Sequence, residues 1–272
     1  MKTILLFFLS LSIPMLSMAQ EEEFHRILLS EEHTAARITS ATAPNRLYEF
    51  AMEYPEIQGQ PYLEENWQKG TLHLSDGSSL TDITFRYNIY EDLVEVMYQG
   101  RRINLEPTEV TGFSFLDGQT GAVRNFRNGF KVNTVKASRD KEITSASYME
   151  VLYESDHTLV LRHWYKAVQK SDNTTNVPGL GQGAAVSYHF TQAKEEAFII
   201  KEGLFLPVKL SKKGFLEAFL DERPLIQKYI KDKWLRCKTT EELAQVAKYY
   251  DKIRLRRAQR KAEREREQEQ RQ

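Results

Sequence analysis

FRYNIYEDLVEV, Phe85 to Val96, packs an arginine, an asparagine, two tyrosines and three carboxylates into twelve residues. It is either a piece of sheet or a polar site. If Glu91-Asp92 is the turn of a hairpin, an even loop centred there pairs Asn88 with Glu95, Tyr87 with Val96 and Phe85 with Tyr98. One face then carries Phe85, Tyr87, Ile89, Val94, Val96 and Tyr98, and the other carries Arg86, Asn88, Tyr90, Leu93, Glu95 and Met97. A slip of one residue would mix the two sets, so the segregation of apolar side chains supports a strand pair. On the polar face Arg86, Asn88 and Glu95 are expected to satisfy one another, each cross-strand pair contributing roughly 0.2–1 kcal/mol. Arg86, Asn88, Tyr90 and Glu95 are therefore the candidate face for a structural or binding role. A catalytic role for Asp92 and Glu95 would need a cleft around carboxylates about 5–9 Å apart, which nothing in the stretch indicates.

Working outward, the same alternation recurs. Leu72 and Leu74 precede the turn pair Asp76-Gly77, Phe113 and Phe115 precede Asp117-Gly118, and Asn128-Gly129 stands between Phe126 and Phe130 as a strong hairpin signal. Strands are expected at 148–153, 158–165, 186–190, 197–201 and 204–208, with 169–185 as one long loop. Turn residues without intervening helical periods argue for an antiparallel meander rather than βαβ units. After Val208 the period becomes helical: Phe215, Leu216, Phe219 and Leu220 behind Ser211, then Leu225, Ile226, Tyr229 and Ile230 behind Asp221 and Pro224. A third helix opens with the capping box Thr239-x-x-Glu242 and carries Leu243, Val246, Ala247, Tyr250 and Ile253. The expected fold is mainly β (α+β): a meander sheet, sandwich or half-barrel, with a C-terminal helical hairpin and a charged helical extension.

The N-terminus reads as a secretory signal peptide over 1–19, with Lys2, the apolar run Ile4–Leu9 and the small-residue end Ser17-Met18-Ala19. Gln20 stands where a lipid-accepting cysteine would be, and no later apolar run is long enough to span a bilayer, so the expectation is an exported, periplasmic or extracellular protein without a lipid anchor. Residues 20–50 read as a mobile leader, 51–208 as the β domain, 209–255 as helices packed on it, and 256–272 as a charged tail. The single cysteine, Cys237, excludes an intramolecular disulfide. Net charge is zero, yet Met1–Val208 holds 19 Lys/Arg against 27 Asp/Glu and Lys209–Gln272 holds 19 against 11. An acidic body thus carries a basic C-terminal part, whose candidate surface is Lys209, Lys212, Lys213, Lys228, Lys231, Arg236, Arg256, Arg257 and Arg260, with Lys233 among them. An anionic surface or an envelope protein is the partner such a face implies. Nucleic acid is not expected outside the cytoplasm.

Gly59-Gln60-Pro61-Tyr62-Leu63, Trp67-x-x-Gly70, Arg86-Tyr87-Asn88-Ile89-Tyr90-x-Asp92, Lys212-Lys213, Tyr229-Ile230-Lys231 and Tyr249-Tyr250-Asp251 together resemble a recurring family of exported proteins from Bacteroidota-type bacteria. The resemblance covers roughly residues 55–251, with the RYN hairpin its most specific part. It implies export and overall plan, and lends no catalytic residue; the tail from Arg256 falls outside it.

Other constellations carry less. Gly179-x-Gly181-x-Gly183 lacks the strand-to-helix context of a phosphate loop. Ser155-Asp156-His157 are neighbours in an expected turn, whereas triad members converge from separate elements. The six histidines lack metal-ligand spacing, although His73, His163 and His189 could meet across a sheet; no metal and no cofactor is expected. The leading expectation is a non-enzymatic binding or structural protein of the envelope. Its alternatives are a carrier of lipid or another apolar ligand lined by Phe113, Phe115 and Trp164, and a hydrolase.

Overall fold

The computed structural model describes residues 54, 57–98, 101–105, 107–132, 142–177 and 181–270. The expected signal peptide over 1–19 and leader over 20–50 lie outside the described residues. The chain divides into Met1–Pro55 and Glu56–Gln272, and the second unit holds every strand and helix described below.

Its strands are β1 (Ile57–Gln58), β2 (Gln68–Leu74), β3 (Ser79–Asn88), β4 (Leu93–Tyr98), β5 (Arg101–Leu105), β6 (Val110–Leu116), β7 (Val123–Arg127), β8 (Met149–Glu154), β9 (Thr158–Tyr165), β10 (Val168–Val177), β11 (Gly181–Phe190), β12 (Lys194–Lys201) and β13 (Leu204–Val208). The helices are α1 (Lys212–Ala218), α2 (Arg223–Asp232) and α3 (Thr240–Glu269), with a 3-10 turn at Leu220–Glu222. Ten strands form one open antiparallel sheet in the order β13-β12-β9-β8-β7-β6-β2-β3-β4-β5. The remaining three form a small sheet, β1-β11-β10, in which β1 runs parallel to β11.

The large sheet curls. Tyr87 on β3 and Phe126 on β7 would stand about 14 Å apart across three flat strand spacings, yet their ring centroids are 5.5 Å apart. The connection from β5 back to β6 agrees: Leu105 to Val110 reaches at most ~18 Å when extended, about the width of the four strand spacings it must cross. On the concave side Phe85, Tyr87, Phe113, Phe126 and Tyr148 pack ring to ring, with Phe113 stacked on Phe126 at 4.6 Å and 11°. Gly70 permits this curl, because a Cβ there would meet the Ser114 carbonyl at 2.1 Å and the Phe85 ring at 2.9 Å.

The β8-β9-β12-β13 half is layered instead. Val160, Ala197, Ile199 and Val208 meet Phe215, Phe219, Ile226, Ile230 and the Leu243, Val246, Ala247, Tyr250, Ile253 stripe of α3. Met149, Leu161, Phe198 and Phe205 on the opposite face are covered by Ile143, Phe130 and Val132. Ser211 and Thr239 cap α1 and α3 as the sequence predicts, accepting from Gly214 N at 3.1 Å and Glu242 N at 3.3 Å.

Four expectations need correction. The β3–β4 register is Phe85↔Val96, Arg86↔Glu95, Tyr87↔Val94 and Asn88↔Leu93, two residues from the expected pairing. The loop is Ile89–Asp92, because Asn88 Oδ1 accepts from Tyr90 N and Glu91 N and so bends the chain one residue early; an even slip keeps the faces as they were. Asn128-Gly129 does not close a two-residue hairpin: Asn128 leaves the sheet, its amide donating to the carbonyls of Pro107 and Val110, and β8 returns to β7 only at Met149. The expected loop at 169–185 is the β10–β11 ribbon, paired from Val168↔Phe190 to Val177↔Gly181. Leu220 falls in the 3-10 turn and is exposed rather than part of the α1 stripe.

Candidate functional site

On the convex face of β3–β4, Arg86 and Glu95 stand directly opposite and meet at 2.9 Å, both largely buried. Tyr62, held by an isolated bridge to Asn88, donates its hydroxyl to Glu95 at 2.9 Å and accepts from Arg86 Nη2 at 2.9 Å. The guanidinium lies between two rings, 3.7 Å from the Tyr62 centroid and 4.1 Å from that of Trp67. Burial, and then the Glu95 charge, push the Tyr62 phenol up to about 12. Asn88 is not a partner of Glu95; it caps the turn. Tyr90 sets its ring edge-on against Phe190 of β11 at 5.3 Å. Asp92, at φ 64°, accepts from the Tyr87 hydroxyl at 2.6 Å and from Tyr148 N. Asp92 and Glu95 are thus occupied in bonding within the fold.

A second polar cluster, which sequence reasoning missed, sits at the seam between the two halves. Glu150 of β8, 3% exposed, accepts from Arg124 Nε at 2.8 Å on β7, Arg162 Nε at 3.0 Å on β9 and Trp164 Nε1 at 2.6 Å. Arg124 also reaches Glu64, and Arg162 reaches Glu195, Thr240 and Glu241, which tie the sheet to the first turn of α3. Burial works against the Glu150 charge, but the two guanidiniums win and hold its carboxyl below the usual range. The available signal was the isolated charge inside the apolar runs Met149-Glu150-Val151 and Leu161-Arg162-His163-Trp164.

Further along α3, Asp251 accepts from three hydroxyls of the β8–β9 turn region: Tyr153 at 2.9 Å, Ser155 at 2.5 Å and Thr158 at 2.8 Å. Ser155-Asp156-His157 is that turn, with His157 N donating to Ser155 Oγ. A groove of about 210 Å³ opens beside it, between Gly203, Tyr250 and Arg254. His163 lies 4.0 Å from both Asp92 and Glu196, while His73 and His189 bond separately to Ser79 and Ser171, so the three do not converge. Among the described residues no group of three or more His, Cys, Asp or Glu is placed to hold a metal ion. Cys237 is buried, and burial pushes its thiol up. Of the proposed carrier lining, Phe113 and Phe115 are buried among rings, and Trp164 stacks on Arg162 at 4.6 Å.

The basic C-terminal residues spread over all three helices. Lys213 pairs with Glu217, Lys228 with Asp232 at 2.5 Å, and Arg257 with the buried Glu222. Lys209, Lys212, Lys231, Arg236, Arg256 and Arg260 are exposed. Comparison with protein-family models, curated proteins and solved structures finds no match.

Proposed function

We propose that the chain is an exported protein of the cell envelope, periplasmic or extracellular, with a non-enzymatic binding role carried by its C-terminal helical region. The observation that carries this reading is the division of charge. Acids of the sheet, such as Glu95 and Glu150, are buried and bonded to arginines of the same sheet. Basic residues of the helical region stand exposed and exceed the acids around them. Charge locked into a scaffold holds the fold, whereas charge left at the surface is available to a partner. Among the described residues no helix is long and apolar enough to cross a membrane, so a partner would be met at a surface. Export rests on the signal-like pattern of residues 1–19, and the resemblance of the RYN hairpin to exported proteins points the same way.

The test is fractionation of the expressing cell with an intact mass. The expected outcome is a periplasmic or secreted chain that has lost Met1–Ala19 and is released from the envelope fraction by salt. A cytosolic chain of full mass overturns export. Turnover of a substrate that is abolished by Glu95→Ala without loss of folding overturns the non-enzymatic role. The carrier alternative would require the Phe113–Phe126 stack to open, and a native mass spectrum with a co-purifying lipid-range mass would establish it.

A further inference from the structure

We propose that the α2–α3 connection is a membrane-contact site, in which Trp234 enters the interfacial zone of an anionic bilayer while the basic side chains around it engage lipid phosphates. This rests on the binding reading above and names its partner.

Three observations converge on that connection. The first is the indole itself. Trp234 is 89% exposed, whereas Trp67 and Trp164 each cover an arginine. Exposure alone does not make an interaction feature, but an indole offers a large apolar body with one polar N–H, the shape that suits a boundary between water and an apolar phase.

The second is that the loop holds it out. Trp234 has φ 54°, a left-handed conformation that bulky residues seldom adopt. Leu235 N closes back onto Ile230 O at 3.1 Å and Lys233 N onto Tyr229 O at 2.9 Å, the bonding of a helix C-terminal cap. Leu235 and Cys237 then turn into the helical core, and the Glu242 carboxylate accepts from Arg236 N and Lys238 N, both at 2.7 Å. The chain therefore alternates: Leu235 and Cys237 inward, Trp234, Arg236 and Lys238 outward. Exposure of the indole is a result of this bonding and not of a fraying end.

The third is the surrounding charge. Lys231, Lys233, Arg236 and Lys238 are exposed and their side chains form no ion pair among the described residues; of the two acids at the connection, Asp232 is taken by Lys228 and Glu242 by the backbone of Arg236 and Lys238. An indole flanked along the chain by four exposed cations suits the boundary of an anionic membrane, where tryptophan settles at headgroup level and lysines extend toward phosphates. A protein interface fits less well, since its hot-spot tryptophans sit in desolvated centres from which lysine is depleted.

The test uses the chain as its host processes it, with sedimentation and tryptophan fluorescence on vesicles of phosphatidylglycerol with phosphatidylethanolamine, and on phosphatidylcholine alone. Binding to the anionic vesicles only, with quenching by lipids brominated in the upper acyl chain, is expected. Lys233→Gln and Arg236→Gln should each weaken it about fivefold, and Trp234→Phe should abolish most of the quenching. Because these side chains are exposed, circular dichroism of the variants should match the parent. Equal binding and quenching by parent and Trp234→Phe, or no binding to anionic vesicles, overturns the proposal. If vesicles are ignored but the salt-releasable envelope association persists and is lost in Arg236→Gln, the membrane assignment fails and the binding reading survives. If that association is also absent, both fail.

Discussion

The two halves of the large sheet solve the same problem differently. From β2 to β7 the sheet bends until its own aromatic side chains meet, and the core joins a cross-strand stack, Phe113 on Phe126, to rings from strands that are not neighbours, Phe85 on Phe113 and Tyr87 on Phe126. From β8 to β13 it stays layered and borrows α1, α2 and α3 to cover one face. The first half can bury its apolar surface without the C-terminal region, and the second cannot. Where they meet, Glu150 joins strands of both and passes the connection through Arg162 to the start of α3. The difference teaches where the molecule is cooperative: a change at the seam is felt by both halves, and a change inside either is felt mainly there.

The seam is the place to break this comparison. Glu150→Ala would leave Arg124 and Arg162 buried without their shared carboxylate, and should cost about 3–5 kcal/mol in denaturant unfolding. Phe126→Ala should cost a similar ~3–5 kcal/mol, but hydrogen exchange should separate the two. Protection would be lost in β7, β8, β9 and the first turn of α3 for Glu150→Ala, and in β2, β3 and β6 for Phe126→Ala. Identical exchange patterns would mean that the halves do not exist as distinct units.

A smaller effect is expected for Gly70→Ala. The added methyl meets the backbone carbonyl of Ser114, and overpacking of this kind costs about 1–3 kcal/mol. A neutral result would mean that the curl between β2 and β6 relaxes easily, and the ring stack would then lose its claim to set the curvature.

Acid should loosen the layered half first. Glu150 is held below the ordinary value of 4.5 by Arg124 and Arg162 against its burial, and Glu241 is lowered by its own backbone bond and by Arg162, again against burial. Asp221 at the 3-10 turn is lowered by Lys201 and Tyr250. A carboxylate with a lowered folded pKa contributes stability above its unfolded value and loses it as pH falls toward the folded one. Glu64, raised by burial, offsets part of this. The thermal midpoint should therefore drop as pH falls below about 4.5, with far-UV helix signal lost ahead of the aromatic near-UV signal. Simultaneous loss at every pH would merge the halves. At the other extreme, the Tyr62 phenol, pushed up to about 12, should withdraw its contribution as pH rises past its ordinary value of 10 toward 12.

Much of this architecture was legible because alternation is local. The apolar face of β3–β4, with Phe85, Tyr87, Val94 and Val96, and the stripe Leu243, Val246, Ala247, Tyr250, Ile253 on α3 follow from side-chain period alone, and all of these residues are buried. What was not legible depends on contacts distant in sequence. The register slipped by two because Asn88 used its side chain in the turn, which period cannot foresee. The β10–β11 ribbon reads as loop in sequence because Ser, Asp, Asn, Thr and Gly dominate it, and its backbone pairing overrides that composition. Arg86 and Glu95 were found as a pair, but Tyr62 and Trp67, which enclose the guanidinium, lie about twenty residues away in sequence. Glu150 with Arg124 and Arg162 is the same case on a larger scale: three strands supply one cluster.

The smallest expected effect is also the most discriminating for the C-terminal helix. α3 runs 30 residues, and its buried residues end at Ile253. Arg254 approaches Glu202 and Asp221, and Arg257 reaches the buried Glu222, so the last contacts with the body are made there. Beyond them every described residue is exposed, and an exposed helix without an apolar stripe adds little to stability. Removing residues 258–272 should therefore shift the unfolding free energy by no more than ~0.5 kcal/mol, while removing 254–272 should cost more by stripping Glu222 of its arginine. Equal costs for the two truncations would show that Arg257 does not hold the helix to the body. A cost for the shorter truncation approaching that of Glu150→Ala would give the charged extension a partner within the fold, and the basic region could no longer be counted as surface left over for another molecule.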